Sequence, residues 1–324
     1  MSEAKRALIV GCGRIAGGYN RSVSDPKVQT HALAYIRHPS YELVACVEPD
    51  VAKRTEFMKV WGVPEGYDTL DAALKDADYD IVSLCSPTGT HIAALERLLD
   101  SSVRAVFAEK PLDGAVEKAR ALGARFDARG IPVAVNFTRR YYASLRAFRD
   151  EVAAGVHGAL SSATVWYTGG VLNNGSHMVD LVTYLVGEVP DILEVMGDND
   201  RAADPTPSAL LRLRGAPFHL VGLRTPGVAR FELELSFARQ IVTMEEGGLF
   251  LRKRAIEPLA IAPEISVAGR GAWYENDSRE PFLVALDELS AWKPGVRLSS
   301  DINSACEAVA VVSEICRRAK EKQS

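Results

Sequence analysis

The sequence predicts an α/β protein with a doubly wound parallel sheet, followed by an α+β region with an open, mostly antiparallel sheet. Apolar, strand-like runs alternate with helical patterns between residues 7 and 137, which is typical of a parallel sheet covered by helices. The first run, Ala7–Val10, ends at a glycine-rich turn. The pattern changes after about Arg140, and from Ile192 onward the strand patterns follow one another without long helices between them. We therefore expect two domains, residues 1–138 and 139–324.

Composition limits the possible classes of function. The 324 residues are 47% hydrophobic and 25% charged, as in a soluble globular protein of about two domains. A net charge of −4 gives no electrostatic basis for binding nucleic acid or an anionic membrane. No apolar run has the length of a membrane span, and the N-terminus shows no signal peptide. The five cysteines lack metal-ligand spacing, so we expect reduced thiols, no metal and a cytoplasmic location.

The glycine-rich turn has the spacing of a dinucleotide-binding turn. The pattern is Gly11-x-Gly13-x-x-Ala16, and it directly follows the first predicted strand. In a Rossmann fold the first glycine allows the tight turn, the second admits a diphosphate, and the third small residue lets a helix pack closely. The diphosphate lies at the N-terminus of that helix. We include Arg14 and Ile15 among the cofactor-binding candidates, although small residues in this pattern also form ordinary turns.

A carboxylate follows the second predicted strand, residues 41–47. Glu48 stands at the end of this strand, where an acidic side chain can accept hydrogen bonds from both ribose hydroxyls of an adenosine. The same charge repels a 2′-phosphate, so we predict NAD, with NADP less favoured. The alternative is a solvated loop acid. The spacing from Ala16 to Glu48 exceeds the usual fingerprint, and a loop after Gly18 explains the difference.

Further strands and helices complete the predicted parallel sheet. We expect strands over 80–85, 104–108 and 132–137, and helices over 31–36, 51–61, 71–76, 88–99 and 115–129. Asp50 is the predicted N-cap of the second helix. The buried face of the helix after residue 88 is predicted to be Ala93, Leu95, Leu98 and Leu99. Ligands of such sheets lie beyond the carboxyl ends of the strands, where we expect Gly11, Glu48, Pro87 and Lys110.

Lys110 is the first candidate for chemistry. It follows an apolar strand and precedes Pro111. A lysine at this position can hydrogen-bond a substrate oxygen, and partial burial lowers the pKa of its amine toward a useful range. The alternative is a surface lysine paired with Glu109.

The second half has a different pattern. We expect helices over 141–154, 282–292 and 301–318, a strand over 160–168, and a helix that follows Gly169-Gly170 and ends at 185. Residues 231–237 alternate like a half-buried strand, and Glu246-Gly247-Gly248 indicates a hairpin. The predicted buried stripe of the last helix is Ile302, Ala305, Val309, Val312 and Ile315.

His177 and Asp180 are the second candidate pair. They are three residues apart, so they share one face of a helix, and Asn173 lies about one turn earlier. A histidine beside a carboxylate suits proton transfer near neutral pH. The alternative is a histidine on a helix surface. No second histidine or cysteine accompanies the set, which argues against a metal.

Arg139 and Arg140 begin the second half together with Tyr141 and Tyr142. Clefts near domain junctions commonly hold ligands, and arginine there can bind hydroxyl, carboxylate or phosphate groups. A solvated cluster is the alternative.

These residues, in this order, resemble the glucose-fructose oxidoreductase, inositol dehydrogenase and MocA (Gfo/Idh/MocA) family of NAD(P)-dependent oxidoreductases. The resemblance covers nearly the whole chain. The segments that carry it are Gly11–Ala16, Ser86-Pro87-Thr88 with His91, Glu109-Lys110-Pro111, and Gly175–Asp180.

The resemblance implies roles for particular residues. Lys110 matches the lysine that touches the reacting hydroxyl, and His177 matches the usual proton acceptor. The remaining cofactor-binding candidates are Ser86, Pro87, Thr88, His91, Glu109, Lys110 and Asn136, and the substrate-binding candidates are Asn173, Asp180, Arg140 and Tyr167. The family acts on a sugar, polyol or sugar-nucleotide carbon. Its open sheet commonly builds an oligomer interface, so we expect a homodimer or homotetramer.

Two departures from the family pattern stand out. Asn173 occupies the position of an aspartate found in many members, and an amide cannot take a proton. Ala143 replaces a common proline. The sequence therefore supports two functions: an NAD(H)-dependent dehydrogenase, or a catalytically weak NAD-binding sensor or partner-binding protein. A flavin enzyme, which uses a similar turn, is a third interpretation.

Overall fold

The computed structural model describes residues 4–112, 116–196, 203–225, 227–276 and 280–322. Two compact units are present: Met1–Tyr141 with Ser278–Cys306, and Tyr142–Asp277 with Glu307–Ser324. The first unit thus includes a segment, residues 278–306, that lies within the second predicted domain, 139–324.

The first unit contains a six-stranded parallel sheet in the order β3-β2-β1-β4-β5-β6. This order is that of a doubly wound dinucleotide-binding fold, and it confirms the predicted fold class. Strand β3 is absent from the prediction because its three residues contain no apolar run. The strands are β1 (Lys5–Val10), β2 (Tyr41–Val47), β3 (Glu65–Tyr67), β4 (Ile81–Leu84), β5 (Ala105–Ala108) and β6 (Val133–Val135).

Nine α-helices lie within the described residues. They are α1 (His31–Arg37), α2 (Val51–Trp61), α3 (Leu70–Asp76), α4 (His91–Leu99), α5 (Val116–Ala128), α6 (Ala143–Ala153), α7 (Ser176–Val186), α8 (Glu280–Ala291) and α9 (Ile302–Glu321). The predicted cap of α2 is confirmed, because the Asp50 carboxylate accepts from the N–H groups of Ala52 and Lys53. The predicted stripe of α9, from Ile302 to Ile315, is buried.

Helix α8 belongs to the first unit because its apolar face enters that unit's core. Phe282, Leu286 and Leu289 are buried in the same cluster as Ile9 of β1 and Leu33 of α1. Burial of such side chains contributes roughly 1.5–3 kcal/mol each. The hydrophobic pattern of this segment predicted a helix but did not identify the partner against which it packs.

One predicted core residue is wrong. Ala93 is exposed, and Ala94 is buried in its place. A 3₁₀ turn over Thr88–Thr90 precedes α4, so the helix begins at His91 and its buried face follows the spacing from there.

The second unit is built on a nine-stranded, mostly antiparallel sheet. Its order is β14-β13-β12-β11-β7-β10-β9-β8, and β15 pairs with β13. Among the described strands of this sheet, only β7 and β10 pair in parallel. The strands are β7 (Leu160–Thr168), β8 (Asp191–Met196), β9 (Ser208–Leu213), β10 (Ala216–Leu223), β11 (Phe231–Phe237), β12 (Gln240–Glu245), β13 (Phe250–Leu259), β14 (Ala262–Ala268) and β15 (Ala272–Glu275).

The predicted open sheet and hairpin are both present. Strands β12 and β13 flank the turn Glu246–Gly248. Part of the sheet is exposed, including Ile265, Trp273 and Tyr274. None of the helices in the described ranges is long and apolar enough to span a bilayer.

Candidate functional site

The glycine turn after β1 lies at the carboxyl edge of the first sheet. Gly11 has φ +91°, and a Cβ there would lie 2.7 Å from the backbone of Ser86. Only glycine therefore allows the ends of β1 and β4 to approach this closely. The close approach places Gly11 and Ser86 side by side at the point where the strand order reverses, which is where doubly wound sheets bind their ligands.

The expected α-helix after Gly13 is not formed. A single π-helical turn, Arg14–Gly18, takes its place. The N–H groups of Gly17 and Gly18 both donate to the Gly13 carbonyl. Two consecutive glycines disfavour a longer helix, and a Cβ on Gly17 would lie 2.3 Å from Trp61 Nε1. The chain therefore turns away after one turn.

The backbone N–H groups at the start of this turn are available to a ligand. Among the residues that the structure describes, no acceptor is present for the N–H groups of Gly13, Arg14 and Ile15. The space beside Gly13 is open, with no atom within 4 Å of an added Cβ. Successive free N–H groups form a concave site for an anion. The turn thus fits the diphosphate of a dinucleotide.

A cavity of about 1090 Å³ opens over this turn. Six of the predicted cofactor residues line it: Gly11, Gly13, Arg14, Glu48, Ser86 and Pro87. Lys53, Thr69, Asp71, Ala93 and Arg97 also line it, and none of them belongs to a cofactor motif in the sequence. The other predicted cofactor residues, Ile15, Thr88, His91, Glu109, Lys110 and Asn136, are not among the lining residues.

Glu48 joins the glycine turn to the end of β2. Its carboxylate accepts from the N–H groups of Cys12 at 3.0 Å and Asp50 at 3.2 Å. Each carboxylate oxygen retains a further lone pair, so Glu48 can still accept from ribose hydroxyls in the cavity that it lines.

Three free cysteines interact near the turn: Cys12, which lies within it and is half-buried, and the buried Cys46 and Cys85. The Cys12 thiol has its pKa raised by its hydrogen bond with Cys46 and by burial. Burial, followed by the charge of Glu109, raises the pKa of the Cys85 thiol. The thiols of Cys12 and Cys85 are therefore weak nucleophiles at neutral pH. Within the described ranges, no group of three His, Cys, Asp or Glu side chains has a metal-binding arrangement.

A polar cluster lies at the carboxyl ends of β5 and β6. Glu109 Oε1 accepts from Asn136 Nδ2 at 2.6 Å and is 3.0 Å from His31 Nε2. Asn136 is 2% exposed, and among the described residues its Oδ1 atom has no hydrogen-bond partner. Lys110 directly follows Glu109 and is half-buried. No sequence motif indicates His31, because its partners Ser83 and Glu109 are 52 and 78 residues away in the chain.

His91 positions two loops of the site. Its Nε2 atom is 2.7 Å from the Ser86 carbonyl oxygen, and its Nδ1 atom is 3.1 Å from the Pro111 carbonyl oxygen. The imidazole is buried, and its two contacts link the loop after β4 to the loop after β5.

In the second unit, His177 follows another glycine-rich turn. Gly169 and Gly170 have positive φ angles, and a single π-helical turn, Val171–Gly175, leads into α7. Asn173 is exposed in this turn, rather than in the helix that carries His177.

The Asp204 carboxylate closes the second turn. Its two oxygens accept from the N–H groups of Leu172 at 2.8 Å and Asn173 at 2.9 Å. A cavity of about 510 Å³ lies beside this segment, and its lining includes Gly169, Asn174, Thr206 and Arg224.

The other predicted substrate residues differ in exposure. His177 is half-buried, with its ring edge to face against Phe231 at 6.4 Å. Asp180 is buried on the same helix. Tyr167 is fully buried, and its hydroxyl donates to the Pro207 carbonyl at 2.6 Å. Arg140, in the first unit, is buried and donates to the Ser299 carbonyl at 2.8 Å.

The region that contains the first sheet matches a known protein family. Residues 5–137 match a family described as an oxidoreductase family with an NAD-binding Rossmann fold (Gfo/Idh/MocA). This match confirms the resemblance found in the sequence motifs and the NAD-binding character of the region.

Two of the curated relatives are named as dehydrogenases. The chain is 26% identical over 196 residues to inositol 2-dehydrogenase of Rhizobium meliloti, covering 56% of this chain and 55% of that protein. It is 25% identical over 205 residues to D-glucoside 3-dehydrogenase of Escherichia coli, covering 57% and 55%. The matched region thus spans little more than half the length of these relatives.

Solved structures share the fold over the whole chain. A UDP-N-acetylglucosamine 3-dehydrogenase from Acidithiobacillus ferrooxidans has a TM-score of 0.79 at 16% identity and full coverage of both chains. A putative NADPH-dependent oxidoreductase from Desulfitobacterium hafniense has a TM-score of 0.80 at 18% identity, with 99% and 97% coverage.

Proposed function

We propose that this chain, whose residues 5–137 match the Gfo/Idh/MocA oxidoreductase family, is an NAD(H)-dependent dehydrogenase. Its substrate class is a sugar, polyol or sugar nucleotide, at a hydroxyl or ketone carbon. The observation that carries the proposal is the open glycine turn, whose three N–H groups lack an acceptor among the described residues and border a cavity of about 1090 Å³.

The residues of the first unit fit a nicotinamide dinucleotide. The N–H groups of Gly13, Arg14 and Ile15 would bind the diphosphate. Glu48 would accept from the ribose hydroxyls and disfavour a 2′-phosphate, which supports NAD over NADP. The buried Asn136 Oδ1 atom, which has no hydrogen-bond partner within the described part of the chain, is an acceptor suited to a carboxamide N–H. When bound, the nicotinamide supplies the hydride chemistry.

Two side chains are proposed to act on the substrate. Oxidation of a CH–OH group releases a hydride from carbon and a proton from oxygen. We assign the proton to the His177 imidazole, which suits transfer near neutral pH. We assign to Lys110 the hydrogen bond that polarises the substrate oxygen and holds it in place. Asn173, Asp180 and Arg140 are proposed to bind the remaining hydroxyl groups.

A second candidate function follows from Asn173. This side chain is exposed, and an amide in place of the family aspartate cannot take a proton. The chain would then bind NAD and a sugar-like ligand with slow turnover, and act as a sensor. Binding without turnover distinguishes this function from the first.

The test is NAD reduction followed by absorbance across a panel of sugars, polyols and sugar nucleotides. We expect turnover with at least one of them, and a loss of about 100-fold or more on Lys110→Ala. Lys75→Ala, at an exposed lysine of α3, is the matched control and keeps the rate. If Lys110→Ala keeps the wild-type rate, Lys110 does not polarise the substrate oxygen. If ligands bind without turnover across the panel, the result supports the sensor function.

The proposal also includes assembly as a homo-oligomer and a cytoplasmic location. Exposed apolar residues of the second sheet, among them Ile265, Trp273 and Tyr274, support a homodimer or homotetramer through that face. The cysteines that the structure describes are free thiols, which supports the cytoplasm. Sedimentation of the wild type and of Trp273→Arg tests the assembly, because a charge in a buried interface favours the monomer.

A further inference from the structure

A chain of buried polar side chains runs beneath the loop that carries Lys110. The Tyr35 hydroxyl is 2.7 Å from Ser83 Oγ, and Ser83 Oγ is 2.9 Å from His31 Nδ1. His31 Nε2 is 3.0 Å from Glu109 Oε1. These residues come from α1, β4 and the end of β5, so the chain of contacts crosses the core of the first unit.

The direction of the hydrogen bonds follows from their chemistry. A carboxylate can only accept, so the His31 Nε2 atom must carry a proton. Ser83 can donate to His31 Nδ1 and accept from the Tyr35 hydroxyl at the same time. Burial raises the pKa of Tyr35, so this phenol remains a donor. When the imidazole is neutral, its Nδ1 atom accepts from Ser83, and every bond in the chain then points toward Glu109.

Packing fixes the imidazole in this position. The His31 side chain is fully buried, and that of Glu109 is 12% exposed. The His31 ring centroid lies 4.5 Å from that of Phe107 and 5.1 Å from that of Phe282. A side chain held in this way has one rotamer and presents its Nε2–H at one point, which is the condition for precise positioning.

We propose that His31 is a positioning residue for the reaction. It holds the Glu109 carboxylate against Asn136, and the backbone after Glu109 thereby presents Lys110. This inference rests on the proposed dehydrogenase function for its kinetic readout. It adds His31, Ser83 and Tyr35 to the site, although none of them lines the large cavity.

Three variants test the proposal. His31→Leu removes the donor, whereas His31→Gln places an Nε2–H the same number of bonds from the backbone. His157→Leu is the matched control, because His157 is also buried, lies 3.0 Å from a glutamate and packs between two phenylalanines. The measurements are kcat, KM, the Kd for NADH by fluorescence, and the melting temperature.

We expect His31→Leu to lower kcat about 100-fold with little change in substrate KM, because a small displacement of Lys110 affects the reacting geometry most. His31→Gln recovers at least about tenfold of that loss. His157→Leu lowers the melting temperature to a similar extent but keeps kcat within about twofold. If His31→Gln is no better than His31→Leu at equal melting temperature, the positioning role is overturned.

A further measurement separates this inference from the proposed function. If the wild type neither turns over nor binds NADH, the proposed function has failed. The ¹⁵N NMR spectrum of the imidazoles then tests whether the hydrogen bonds of His31 to Ser83 and Glu109 form in the free protein. We expect a slowly exchanging His31 Nε2–H resonance that shifts in Glu109→Gln and in Ser83→Ala. A His31 ring without a proton on Nε2 would contradict the network.

Discussion

The two units each contain a glycine-rich π-helical turn after a strand, but the two turns differ in whether a protein side chain accepts from their backbone N–H groups. The turn Arg14–Gly18 follows β1, and the turn Val171–Gly175 follows β7. Among the described residues the first turn has no acceptor for its leading N–H groups. In the second turn, Asp204 accepts from two of them.

The space beside the glycines differs in the same way. An added Cβ on Gly13 would meet no atom within 4 Å, whereas one on Gly170 would lie 2.1 Å from Asp204 Oδ2. The second turn is therefore an anion site filled by the protein's own carboxylate, and the first is left open for a ligand. Local turn geometry alone does not distinguish these two uses, and the deciding residue lies outside the turn.

The largest expected effect comes from giving the first turn its own carboxylate. Gly13 has φ −80° and ψ −166°, so other residues fit its backbone. In Gly13→Asp a negative charge occupies the diphosphate position, and we expect the Kd for NADH to rise about 100-fold or more. Gly13→Ala adds only a methyl group in open space, and its Kd stays within about threefold of wild type. If both variants bind NADH with the same Kd, the diphosphate does not bind at this turn.

The reverse change opens the second turn. Asp204→Ala leaves the Leu172 and Asn173 N–H groups without their acceptor, which costs about 1–3 kcal/mol of unfolding free energy. Asp191→Ala is the control, because Asp191 forms an exposed ion pair with Arg212 worth about 0–1 kcal/mol.

Inorganic phosphate provides the second half of this test. In urea denaturation it should stabilise Asp204→Ala more than the wild type or Asp191→Ala, because the freed N–H groups bind an anion. If phosphate acts equally on all three proteins, the second turn is not an anion site of the same kind.

The sequence predicted most of the elements but few of these long-range partners. Apolar periodicity gave the bounds of β2, α2 and β7 as they occur, since it records which face of each element is buried. It missed β3, where no apolar residue repeats, and it placed Ala93 in the core, because a 3₁₀ turn sets the start of α4.

In the candidate site, too, local motifs predicted some residues, whereas residues that act through long-range contacts were missed. The motifs identified Gly11, Gly13 and Glu48, all of which line the large cavity, because their chemistry depends on local backbone and charge. They gave no sign of Asp204, which is 31 residues from Asn173, or of His31, which is 78 residues from Glu109. Such contacts arise only when distant strands and helices meet.

Glu48 allows a sharper test of what the open turn accepts. Glu48→Gln keeps an acceptor for the Cys12 N–H but removes the charge that disfavours a 2′-phosphate. We expect the preference for NADH over NADPH to fall about tenfold, measured as the ratio of the two Kd values. Glu56→Gln, at an exposed position of α2, removes an equal charge and leaves the ratio unchanged. A constant ratio in Glu48→Gln would mean that Glu48 does not face the ribose.

The smallest expected effect concerns Asp50, an exposed carboxylate that caps α2 as Asp204 caps the second turn. The N–H of Lys53 and, to a smaller extent, that of Ala52 lower the pKa of Asp50 below its ordinary value of 3.8. A lowered folded-state pKa contributes stability that is present above the ordinary value and is lost as the pH falls through the folded value. Asp50→Asn keeps a good N-cap without a titrating group. Urea midpoints measured from about pH 6 to about pH 3 should therefore show a small wild-type advantage that disappears at the acid end. An advantage of constant size across this range would show that charge does not contribute to this cap.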